Sequence, residues 1–267
     1  MKMLSRPNSK TRVTIAFLFL FVVMTVLSAG VYYAGDLGKW HENIAARESH
    51  AALQGITEAA QIDQALSRHP QNKFLQVMAR ATTAANATNA AIEKLSSEVQ
   101  PPAISKAGNL GAASRNDLET LRRDLKTAEA NATAFMPRYI GLMKSERNDV
   151  EKFALSSGLS KETIDKVLDN IDQRHAELTA FASRMLPARA DFYRAYGNYV
   201  AVLVGEFGAY KVVKGEFIFP FQRTVDRYNA AAQAMTAAAK RVADLEEERK
   251  TQLNSQQQRW LQFVRGK

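Results

Sequence analysis

The sequence predicts an all-α protein: an elongated antiparallel helical bundle of four to five long helices, following one N-terminal transmembrane helix. Three observations carry that expectation. Glycine and proline are sparse, at 13 and 7 of 267 residues, while alanine is abundant; that balance favours helix. Apolar residues recur at steps of three and four along most of the chain, the period of one helix face. A single long uncharged apolar run stands near the N-terminus.

That run, Val13 to Tyr33, reads VTIAFLFLFVVMTVLSAGVYY. At about 1.5 Å per residue it can cross the roughly 30 Å hydrocarbon layer. Lys2, Arg6, Lys10 and Arg12 precede it with no acid among them, which keeps residues 1–12 cytoplasmic. Tyr32, Tyr33 and Trp40 follow it, where an interfacial aromatic belt belongs. The apolar region exceeds the 7–15 residues usual in a cleaved signal. Ser28 and Gly30 nevertheless suit the small positions of a cleavage site, so cleavage after Gly30 is the competing reading. Lipidation is not available there, because Val31 stands where the cysteine would be. The expected organisation is therefore a basic tail (1–12), a signal anchor (13–33) and an extracytoplasmic helical domain (36–267).

Within that domain, Trp40 to Arg68 reads as an alanine-rich helix ended by Pro70. Lys73 to Val99 forms the next, with Phe74, Val77, Ala81, Ala84, Thr88, Ile92, Leu95 and Val99 on one stripe, and Pro101-Pro102 stops it. Residues 103–114 read as a loop. Asn116 to about Ser156 carries Leu118, Leu121, Leu125, Ala128, Ala132, Phe135, Tyr139 and Leu142, in steps that suit a bundle seam or coiled coil. Pro137 inside it predicts a kink or break. Gly158 and Ser160 end one helix and cap the next, whose stripe is Ile164, Leu168, Ile171, His175, Leu178, Phe181 and Met185. Pro187 predicts a kink in that helix, before the aromatic run Phe192, Tyr193, Tyr196 and Tyr199. Lys214 to Phe221 interrupts the pattern. A last helix from Pro220 or Phe221 to about Val264 follows, with Val225, Tyr228, Ala232, Met235, Ala239, Val242 and Leu245 on its apolar side.

The chemistry-bearing residues argue against an enzyme. There is no cysteine, which removes disulfides, thiolate metal sites and thiol nucleophiles. His41, His50, His69 and His175 show no i, i+3 or i, i+4 pairing, and a metal site needs three or four convergent ligands. His175 lies on an apolar stripe and reads as a core histidine. Asp165 with Asp169, and Glu246 to Glu248, read as solvated helix surface. No phosphate loop, nucleophile elbow or kinase signature occurs, so no catalytic residue, cofactor or metal is expected. The net charge of +9 owes four units to the residues before the apolar run. The rest is dilute and lacks a basic, aromatic-rich stretch, so no nucleic-acid partner is expected.

The sharpest local oddity is Gly215 to Phe221, with three phenylalanines, Phe217, Phe219 and Phe221, in five residues around Pro220. It reads either as a corner packed under two helix ends or as an exposed lip for a partner helix, a lipid or a hydrophobic ligand. The candidate contact residues are Phe217, Phe219, Pro220, Phe221, Tyr196 and Tyr228.

Val212-Val213-Lys214-Gly215, Phe219-Pro220 and Tyr228-Asn229 together resemble a family of uncharacterised bacterial envelope proteins, often lipoprotein-like, with a late Gly…Phe-Pro…Tyr-Asn motif. The resemblance covers about residues 190–235. The chain departs by Val31 in place of the lipidated cysteine and by one extra residue between Gly215 and Phe219. The resemblance implies a bacterial cell-envelope location and no activity.

The expected function is therefore a membrane-anchored periplasmic helical protein. Its N-terminus lies in the cytoplasm, it is held in the inner membrane by a single pass, and it acts as a non-enzymatic interaction or scaffolding module. Its partner is expected to be a protein or a second copy met through the long helices. The alternative is a membrane-anchored sensory or small-hydrophobic-ligand domain.

Overall fold

A computed structural model describes residues 60–101 and 107–264. The chain segments read as cytoplasmic tail and transmembrane anchor, together with most of the helix expected from Trp40, lie outside the described residues. Among the described residues no helix is long and apolar enough to cross a membrane.

Five α-helices account for most of the described chain: α1 (Ala60–Arg68), α2 (Lys73–Val99), α3 (Arg115–Ser156), α4 (Lys161–Gly205) and α5 (Gln222–Val264). A 3-10 helix, Ala107–Ala112, lies between α2 and α3, inside the stretch read as a loop. A two-stranded antiparallel hairpin, β1 (Lys211–Val213) and β2 (Glu216–Ile218), joins α4 to α5. The helical class is as the sequence predicts; the hairpin is an addition.

Local chemistry sets the helix ends. The Asn72 side chain accepts the Leu75 amide at 3.1 Å and starts α2. Ser114 and Asp117 form a reciprocal capping box: the Asp117 amide donates to the serine hydroxyl and the Ser114 amide to the carboxylate. Those serine bonds hold the Asp117 carboxyl below its usual range. Ser157 and Gly158 close α3, with Gly158 at φ +74°, and the Ser160 hydroxyl accepts the Thr163 amide to open α4.

Neither Pro137 nor Pro187 breaks its helix; α3 and α4 run continuously through them. Both prolines are exposed on the solvent side of their helices. The cost of an interior proline, roughly 3 kcal/mol, is then offset by the stripes buried on either side.

The described chain divides into two compact units, one from residues 95–137 and 182–247, the other from residues up to 94, 138–181 and 248 onward. The second unit has a closed apolar core. Ile62 and Ala65 of α1 join Phe74, Leu75, Val77, Met78, Ala81 and Ala84 of α2. Val150 and Ala154 of α3 and Ile164, Val167, Leu168 and Ile171 of α4 complete it. In the first unit Leu118, Leu121, Leu125, Ala128, Ala132 and Phe135 of α3 are buried with Met185, Leu186, Tyr193, Val200 and Leu203 of α4. There α4 and α5 run antiparallel: Glu206 meets Thr224, Tyr199 meets Tyr228 and Arg189 meets Glu246. The stripe of α5 is covered less completely than the others. Val242 is buried, while Val225, Tyr228, Ala232, Met235, Ala239 and Leu245 are half-buried.

Candidate functional site

The hairpin is built from a tight turn. Lys214 and Gly215 both have positive φ, 52° and 82°, the type I′ combination that matches the twist of a two-residue hairpin. The register pairs Lys211 with Ile218, Val212 with Phe217 and Val213 with Glu216. A two-stranded hairpin is marginal by itself, so something must hold it.

Aromatic packing does so. Phe217 and Phe219 point inward and stack nearly parallel, 6.4 Å apart. Tyr210 meets both edge-on, at 5.1 and 5.7 Å. Tyr228 of α5 lies 5.8 Å from Phe217 and 5.0 Å from Phe219. It continues to Tyr199 of α4 at 5.2 Å, where the two hydroxyls hydrogen-bond at 2.8 Å. Tyr199 leads to Tyr196 at 6.4 Å, and Tyr196 to Phe192 at 5.9 Å. Such pairs contribute about 0.5–1.5 kcal/mol each beyond their buried area. Burial pushes the Tyr196 hydroxyl up to about 12 and raises Tyr199, Tyr210 and Tyr228 as well. These phenols stay neutral and act as packing and hydrogen-bonding groups.

Of the six residues singled out in the sequence, Phe217, Phe219 and Tyr228 are brought together directly. Tyr196 joins them through Tyr199. Pro220 and Phe221 are exposed beside the cluster, with Phe221 67% exposed. Val212, Val213, Ile218 and Phe207 add exposed apolar surface around it. One face of the segment is a packed corner and the other is exposed apolar surface. Tyr199, Tyr210 and Phe207 were not paired with it from sequence. Tyr199 had a visible signal, its i, i+3 relation to Tyr196 on one helix face.

A second polar cluster lies in the core of the other unit. Arg174 donates to Glu146 Oε1 at 2.7 Å, and both side chains are buried. His175 Nε2 stands 3.3 Å from the same oxygen. Burial raises the Glu146 carboxyl, but His175, Arg174 and Thr88 together outweigh it and hold the group below its usual range. His175 is a core histidine on its stripe, as its position implied. Among the described residues no group of three or more His, Asp or Glu side chains is placed to hold a metal ion.

Comparison with protein-family models, with curated proteins and with solved structures finds no match to this chain.

Proposed function

We propose that the chain is a non-enzymatic interaction module of the bacterial envelope, tethered by Val13–Tyr33 and working through the hairpin end of its first unit. The observation that carries this reading is a preformed hairpin, pinned by packed aromatic rings, with Val212, Val213 and Ile218 on it and Phe221 just after it in solvent. Exposed apolar side chains on a rigid support suit binding, because little conformational freedom is lost on contact. The half-covered stripe of α5 offers a second face for a helical partner. The resemblance through Gly215, Phe219-Pro220 and Tyr228-Asn229 agrees with an envelope location. Crosslinking in intact cells, followed by mass spectrometry of what is captured, tests the proposal. Discrete adducts on the hairpin segment are expected; recovery of the unmodified chain alone would count against it.

The half-burial of Phe217, Tyr196 and Tyr210 favours a second reading, a site for a small hydrophobic ligand. Saturable binding of an apolar fluorophore, lost in Phe217→Ala, would support it.

A further inference from the structure

We propose that the hairpin end docks on an anionic phospholipid surface, an inference that rests on the hairpin being a contact surface at all. Every residue from 211 to 223 except Phe217 and Phe219 is exposed. The turn and the strand face opposite Phe217 therefore stand in solvent. Exposed apolar and cationic groups mix at this end: Phe207, Val212, Val213, Ile218 and Phe221 with Lys211, Lys214 and Arg223, Val212 on the Phe217 face and Lys211, Val213 and Ile218 on the other. Across residues 207–223 these three cations face one acid, Glu216, a net charge of +2. Of the neighbouring acids, Glu206 meets Thr224 and Arg227, and Asp226 meets Gln222.

A protein interface would have to seat each interleaved cation beside an acid or leave it desolvated at a cost. A headgroup layer imposes no such matching. Lysine and arginine stems lie along apolar surface while their charges reach phosphate, and apolar side chains enter only to the headgroup–acyl boundary. The strands also favour shallow contact. Each has three residues and an unpaired edge, which must stay in reach of water rather than enter hydrocarbon.

The absence of cysteine allows a clean test. Val213→Cys, Ile218→Cys and, as a control on exposed α3 surface of the same unit, Thr133→Cys are each labelled with an environment-sensitive fluorophore. The full chain is reconstituted in phosphatidylcholine vesicles with or without phosphatidylglycerol and with a shallow spin-labelled quenching lipid. Quenching is expected at 213 and 218, dependent on phosphatidylglycerol, and not at 133. Lys211→Gln and Lys214→Gln, both at exposed positions, should each weaken the phosphatidylglycerol-dependent component about five-fold and make it less salt-sensitive. Labels at 213 and 218 no more quenched than the label at 133 would overturn the inference. If a photo-crosslinker at Ile218 in cells then captured one discrete protein, the contact surface would stand and only its lipid partner would fall. If it captured nothing, both would fall.

Discussion

Tyr199 and Tyr228 link α4 to α5 through one hydroxyl pair inside a ring cluster. Tyr199 is buried and Tyr228 half-buried, so the two phenols are not equivalent. Tyr199→Phe leaves Tyr228 able to turn to water, whereas Tyr228→Phe strands a buried hydroxyl. Urea denaturation should show the second costing more than the first, within the 0.5–3 kcal/mol spanned by lost and unsatisfied hydrogen bonds. Equal costs would mean that the pair does not bridge the helices. Glu146 makes a second residue-scale prediction. Its carboxyl titrates lower folded than unfolded. Its contribution is therefore fully present above the unfolded value, about 4.3, and is lost as pH falls through the folded one. Glu146→Gln should flatten the acid limb of the stability–pH curve below that value. Arg174→Met, which leaves the carboxylate buried and without its guanidinium, should cost about 3–5 kcal/mol at neutral pH. Glu246 works the other way: burial raises it despite Arg189, so Glu246→Gln should cost little at pH 7.

At the scale of elements, α2 was legible almost to the residue. Pro70 and Pro101 bracket it, and all eight of its stripe residues are buried. The α3 stripe was legible to Tyr139. Beyond it the buried positions run Met143, Glu146, Val150 and Ala154, while Leu142 is only half-buried. A 3.6-residue turn drifts against a three-four pattern, and following the drift would have exposed Glu146 as a charge on a core stripe. The strands were not legible because three residues are too few to show alternation, and Lys214-Gly215 is a weaker hairpin signal than Asn-Gly. The break allowed at Pro137 does not occur, because an exposed ring is tolerated inside a helix whose other face is buried. Pro137→Ala restores an amide at an exposed position and should raise stability, by up to about 3 kcal/mol, in thermal or urea unfolding; a loss would show that the proline geometry is required. Gly215→Val places a branched side chain at φ 82°. It should disorder the hairpin while leaving helix content unchanged by circular dichroism.

For the molecule as a whole, composition and periodicity read out the helical class, because helix stripes are local. They did not reveal the division into two compact units, because that depends on which segments of α3, α4 and α5 pack with which partners. The candidate site was half legible for the same reason. Phe217, Phe219 and Pro220 stand close in sequence, whereas Tyr199 and Tyr210 reach them only through the fold. The proposed contact of this chain with its partner runs through the hairpin end. Its most direct test places a photo-activated crosslinking residue at Ile218, at Phe221 or, for comparison, at Thr133 in the full chain in intact cells. Adducts, lipid or protein, are expected from positions 218 and 221, with their loss in Gly215→Val and none from 133. Equal yields at all three positions, or none at 218 and 221, would contradict it.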